Sequence, residues 1–248
     1  KIGAILFLCS MVFQCAHSDE MMNVPNKKKY AVAISPAPVL NVPDYRTVFG
    51  GADGRTLHTD GTGLIREVEF IALPRTRFVV EDVVKIGDST VYKVTTNEYF
   101  SSPGTGYYVD SRFVKLLVTD PGDRFKKLPS KDEIIRALLS AEGSMYIWGG
   151  NYRKGIPELS LYYPPAVPLI SEMRKMWILQ GVDCSGLLYE ATKGYTPRNT
   201  SDLMLFGVPV AIEGLGVNDI IEAVKPLDII VWKGHVIIIL DKDRTIIT

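Results

Sequence analysis

The sequence predicts an α+β chain in two parts, a small all-β unit followed by a unit with helices first and hairpins after. Three observations carry this. Residues 30–117 hold a series of short runs rich in Val, Tyr, Phe and Thr, separated by turn residues and without helical periodicity. Residues 130–206 carry helix-start signals, and after Pro226 the pattern returns to short strands. Between the two parts, Asp120-Pro121-Gly122-Asp123 is turn chemistry and Lys126-Lys127 is expected to be solvated, so residues 119–129 read as a linker. The expected organisation is a leader over 1–18, a β unit over 25–118, the linker, and a second domain over 130–248.

Taken in order, Lys1 precedes an apolar run over 2–13 and then polar residues, the shape of a secretory leader and too short for a membrane span. Cys15 offers a second option, a lipid anchor at a new terminal cysteine; ordinary cleavage near Ala16 or Ser18 is the alternative. Either way the expected location is extracytoplasmic, periplasmic or in the cell envelope. No other stretch is long enough to cross a bilayer.

Strands are expected over 30–34, 63–73, 78–86, 90–96 and 107–117, with turns at Gly87-Asp88 and Pro103-Gly104. Several short strands in so few residues suggest a small barrel. In the second part, Ser130-Lys131-Asp132-Glu133 is a capping box, followed by Ile134, Ile135, Leu138 and Leu139 at helical spacing. A second helix is expected from Cys184 to Lys193, stopped by Gly194. A third would be capped by Thr200 and a fourth by Asn218. Strands over 229–232, 235–240 and 244–248 close the chain, the first two joined at Lys233-Gly234.

Composition narrows the function. Apolar residues make up 46%, enough for a core, and 28 Lys plus Arg balance 28 Asp plus Glu. Zero formal charge removes the usual electrostatic case for a nucleic-acid partner. Of Cys9, Cys15 and Cys184, only Cys184 lies beyond the leader, so an internal disulfide framework is excluded. One Cys and one useful His make no three-ligand metal set without distant carboxylates, and no nucleotide-binding glycine loop or nucleophile elbow is present. No cofactor is implied.

Chemistry is expected where Cys184 meets His235. Cys184 begins a helix, where free N–H groups and the helix dipole favour a thiolate. His235 opens the apolar run 236–240 and can face a cleft, whereas His58 reads as a loop residue. A cysteine at a helix start with a histidine on a facing strand is the papain-like arrangement. A small buried cysteine and a turn histidine are the structural alternatives.

Five motifs then carry a resemblance. Asp183-Cys184-Ser185-Gly186 resembles the nucleophile motif of the NlpC/P60 cell-wall cysteine peptidases. Tyr146-Ile147-Trp148-Gly149-Gly150, Thr196-Pro197-Arg198-Asn199-Thr200-Ser201, Lys225-Pro226-Leu227-Asp228 and Gly234-His235-Val236 resemble that family's other segments, in the family's order. The β unit is similar to the bacterial SH3-like domains that often precede such peptidases. The resemblance implies a papain-like catalytic domain behind an SH3-like barrel. It implies an endopeptidase of peptidoglycan stem peptides or muropeptides, cutting between γ-D-glutamate and meso-diaminopimelate or lysine. Cys184 would be the nucleophile and His235 the base. Tyr146 would line the cleft and assist the oxyanion, and Asp183 and Ser185 would bind the free amine of an N-terminal L-alanine. Arg198 would support the pocket wall or meet a substrate carboxylate. Trp148 reads as core.

Three departures from the family pattern stand out. A third polar residue is expected near Ile247 or Thr248, where neither is an ordinary choice. Leu227 stands where a glycine is usual, suggesting a different turn. Residues 151–180 form an unusually long link, either a specificity wall or a neutral surface excursion. The competing functions are a secreted wall-binding module with a decayed peptidase domain, and an amidase or acyltransferase using the same Cys–His pair.

Overall fold

The computed structural model describes residues 28–100, 104–241 and 245–246. The leader, Cys9, Cys15, Ile247 and Thr248 lie outside the described residues.

The first part is one antiparallel sheet. Its strands are β1 (Lys29–Ala33), β2 (Ala37–Leu40), β5 (Val68–Ala72), β6 (Arg77–Ile86), β7 (Ser89–Thr95), β8 (Tyr107–Asp110) and β9 (Val114–Leu117), in the order β5-β2-β8-β7-β6-β1-β9. A short helix α1 (Tyr45–Val48) and the minor pair β3 (Phe49–Gly50) and β4 (Thr56–Leu57) fill the β2–β5 connection. The chain is thus mixed α/β with a large antiparallel sheet. Among the described residues β5 and β9 stand at opposite ends of the order, and neither a closed barrel nor a papain-like fold is established by this topology.

Two strand expectations change for local reasons. The run over 63–73 becomes strand only from Val68, because the Asp60 carboxylate gathers the N–H groups of Thr62 and Leu64 into a turn. The run over 107–117 is broken by a 3₁₀ turn, Ser111–Phe113, capped by the Asp110 side chain.

The second part begins with α2 (Lys131–Leu139), capped by the expected Ser130–Glu133 box. Then come β10 (Asn151–Tyr152), α3 (Glu158–Tyr162), α4 (Ser171–Trp177), β11 (Gly181–Val182) and α5 (Cys184–Ala191). The chain ends through α6 (Thr200–Leu203), α7 (Val217–Ala223) and the sheet β12 (Ile229–Trp232), β13 (His235–Ile239), β14 (Thr245–Ile246). Asn199, not Thr200, caps α6, and α7 starts from Gly216 without a side-chain cap. The turn before Asp228, where glycine is the usual residue expected, is built on Leu227 itself. Leu227 adopts φ +76°, the left-handed conformation in which a glycine is unstrained.

The long link 151–180 is not a surface excursion. Ile156, Leu159, Tyr163, Trp177 and Leu179 join one buried core with Phe70, Phe78 and Val109 of the sheet. Trp177 donates its indole N–H to the Tyr163 carbonyl (2.9 Å), and the Tyr163 ring stacks on Tyr45. The Tyr163 hydroxyl donates to the buried Asp110 carboxylate. Each such large side chain contributes about 1.5–3 kcal/mol by leaving water, so the link fastens the second part to the first. Residues 119–129 are likewise not a free linker. Arg124 and Lys126 both pair with Glu98 of the sheet side, and Arg124 also donates to the carbonyls of Lys193 and Gly194 behind α5. A second core holds Ile134 and Leu138 of α2, Leu187 and Leu188 of α5, and Val236 and Ile238 of β13.

Candidate active site

Cys184 is the first residue of α5, with Asp183 as its N-cap. The Asp183 carboxylate accepts the Gly186 N–H at 2.7 Å, which fixes the direction in which the helix begins. The segment 145–150 runs beside this start. Ile147 donates to Val182, Val182 donates to Met145, and Gly149 donates to the second Asp183 oxygen (3.0 Å). The two glycine motifs are explained by proximity. A Cβ on Gly186 would lie 1.9 Å from the Gly150 carbonyl oxygen, and one on Gly149 would lie 2.4 Å from the Val68 oxygen.

Arg198 is almost wholly buried (3% exposed) and ties this corner together. Its guanidinium forks onto both Asp183 oxygens (3.0 and 2.7 Å), donates to Ser185 Oγ (2.9 Å) and the Gly150 carbonyl, and gives its Nε–H to Asn151 Oδ1. Asn151 in turn exchanges two hydrogen bonds of 2.8 Å with the backbone of Ile71 in β5. With all three guanidinium nitrogens engaged, Arg198 is a structural hub and does not meet a substrate carboxylate. Of its two expected roles, supporting the pocket wall remains. The amine-binding role expected of Asp183 and Ser185 finds no free acceptor. Asp183 receives Gly149, Gly186, Ser185 and Arg198, and the Ser185 hydroxyl lies between Asp183 and Arg198.

The sulfur of Cys184 faces the start of β13. Its thiol points to the Gly234 carbonyl at 4.0 Å, and the Val236 N–H is hydrogen-bonded to it. His235 lies between those two residues. α5 packs on β13 through Leu187, Leu188, Val236 and Ile238. The expected low thiol pKa is not what these surroundings produce. Burial first, then the Asp183 charge, pushes the Cys184 thiol up, outweighing the Val236 and Ser185 N–H groups and the Arg198 charge. His235 pairs across the hairpin with Trp232, whose ring centroid is 5.1 Å away. Among the described residues no side chain hydrogen-bonds the His235 ring.

Tyr146 is half-exposed, and its hydroxyl is pushed up by burial, then by the charges of Asp183 and Cys184. It is therefore a neutral donor close to the sulfur. Trp148 is not core. It is 36% exposed, and the Arg66 guanidinium lies 4.1 Å over its ring. His58 belongs to a loop contact with Glu67 (2.6 Å).

A polar cleft of about 360 Å³ opens between the two parts, lined by Glu69, Tyr99 and Tyr107 on the sheet side and by Asn199, Ser201 and Asp202 on the other. Thr200, between two of these residues, accepts the Gly234 N–H at 3.1 Å, so the cleft wall continues into the surroundings of the sulfur. Sequence reasoning missed Asn151, Glu69, Arg66 and Trp232. Glu69 and Arg66 belong to the β unit, in which no catalytic constellation was legible.

Compared with known proteins, the chain matches no family model, no curated protein and no solved structure. Among the described residues no helix is long and apolar enough to cross a membrane.

Proposed function

We propose that this chain is a cysteine endopeptidase of peptidoglycan stem peptides, acting outside the cytoplasm on the bond between γ-D-glutamate and a diamino acid, either meso-diaminopimelate or lysine. The observation that carries the reading is the position of Cys184 at the head of α5, its sulfur against Gly234 and Val236 on either side of His235. This fits a papain-like domain of the NlpC/P60 kind. A preference for a free N-terminal L-alanine is retained, with the amine received by the acidic cleft at Glu69 and Asp202 and not by Asp183.

The chemistry follows from a neutral resting thiol. His235 accepts the Cys184 proton as the sulfur attacks the γ-glutamyl carbonyl. The N–H of Cys184 at the helix start and the Tyr146 hydroxyl are the donors available to the oxyanion. Protonated His235 then gives its proton to the departing amine, leaving a thioester. Water, deprotonated by His235, releases the glutamyl carboxylate and restores the thiol.

Mass spectrometry of L-Ala-γ-D-Glu-diaminopimelate and its N-acetylated form, incubated with the protein and with Cys184→Ala, tests this. Cleavage of the free-amine peptide alone, lost in the variant, is the expected result. Cleavage of neither peptide would leave a wall-binding module or an acyltransferase as the better reading. The raised thiol pKa gives a separate check. Alkylation of Cys184 by iodoacetamide should keep accelerating above about pH 8.5, the ordinary thiol value. A plateau reached by neutral pH would show a preformed thiolate instead.

A further inference from the structure

The position of Arg66 has no use in the mechanism above, and its surroundings are unusual for a surface arginine. It stands just before β5, where Val68 packs against Gly149. Its backbone carbonyl accepts from Asn41, and its guanidinium carbon lies 4.1 Å over the Trp148 ring. Trp148 belongs to the segment whose Gly149 N–H bonds Asp183, the residue preceding Cys184. The guanidinium is therefore fixed on the wall that carries the sulfur, and its charge acts on the Tyr146 hydroxyl.

The ion pair with Asp60 does not exhaust this group. Only Nε reaches Asp60, at 2.6 Å to one oxygen. The other Asp60 oxygen takes the Thr62 N–H, the Thr62 hydroxyl and the Leu64 N–H. Among the described residues the two Nη groups of Arg66 have no hydrogen-bond partner, and the side chain is 44% exposed. Two parallel N–H donors on a guanidinium held by Asp60 and the Trp148 ring are suited to a planar carboxylate. A γ-linked glutamyl residue carries such a group, its free α-carboxylate, a short aliphatic link from the carbonyl that the thiol attacks. Arg198, whose charge acts on the sulfur, is closed off by its own partners, whereas Arg66, whose charge acts on the neighbouring Tyr146 hydroxyl, keeps its Nη groups open.

We propose that Arg66, contributed by the β unit, binds the α-carboxylate of the substrate's γ-linked glutamate and selects the acid over its amide. This rests on the peptidase reading above. The sheet then supplies both charges that the substrate needs. Glu69 faces the amine end and Arg66 the carboxylate, so a zwitterionic peptide has one orientation across Cys184.

The test is binding to the Cys184→Ala protein, by isothermal titration, of L-Ala-γ-D-Glu-diaminopimelate and of the same tripeptide with D-isoglutamine. Arg66→Gln should weaken binding of the acid about tenfold, as loss of a charged hydrogen bond does, and leave the amide unchanged. Thermal melting should be the same with and without the substitution. Equal loss for both peptides would make Arg66 a prop for Trp148 and overturn the proposal, as would no loss for either. If the protein with Arg66 intact binds neither peptide, this inference falls together with the substrate class. If it binds the acid with the expected Arg66 dependence while the Cys184 protein cleaves nothing, the chemistry falls and the carboxylate site stands.

Discussion

Cys184 stands on a wall tied by a buried ion pair, whereas His235 stands on a hairpin held mainly by apolar packing. On the first wall Asp183, Arg198 and Asn151 use their polar atoms on one another and on the backbone of β5 and of the glycine segment. On the second, Val236 and Ile238 are buried against α5, while alternate residues of β12 are exposed and every residue of 204–219 is exposed to solvent in part or more. The contrast teaches where precision is located. Desolvated charges have no substitute partner within the protein, so the first wall is fixed. The hairpin is seated on aliphatic side chains, with Gly234 N–H on Thr200 and Val236 N–H on the sulfur as its polar ties near His235.

The largest expected effect tests the first wall. Arg198→Met leaves Asp183 buried without its partner and should cost about 3–5 kcal/mol in urea unfolding. A loss under about 1 kcal/mol would mean that the ion pair does not hold this wall. Asn151→Leu removes the two bonds to Ile71 and one from Arg198, for an expected loss of about 1–3 kcal/mol. Combined with Arg198→Met, the losses should fall short of their sum, because the two side chains share a network. The smallest effect lies on the other side. Leu205→Ser, at a residue 89% exposed, should change stability by no more than about 0.5 kcal/mol. A larger loss would show that the exposed stretch is covered in solution and would erase the contrast.

What was legible in the sequence was local. The Ser130–Glu133 box, the helix beginning at Cys184 and the turn at Lys233-Gly234 each depend on residues a few positions apart. What was illegible depends on distance along the chain. Asn151 reads as an ordinary loop residue until its bonds to Ile71, 80 positions earlier, are seen. Arg198 offered two equal roles until its partners filled every nitrogen. β2 escaped notice because Pro38 argues against a central strand; its carbonyl accepts from Tyr45, and it pairs with Ile71. The link 151–180 left two roles open, a specificity wall or a surface excursion, and although a short helix was legible over 171–178, a core contact made across the two parts leaves no mark in the local pattern.

The Asn151 carboxamide has one more consequence. β5 is the last strand of its sheet, and the outward N–H and C=O of Ile71 would otherwise be open to any extended chain. One side chain imitates a peptide unit of a strand that is not there, and Gly149 packs over Val68 next to it. The second part of the chain therefore acts as a guard against strand addition. Severed from it, the sheet would carry a bare, apolar border and a tendency to assemble edge to edge.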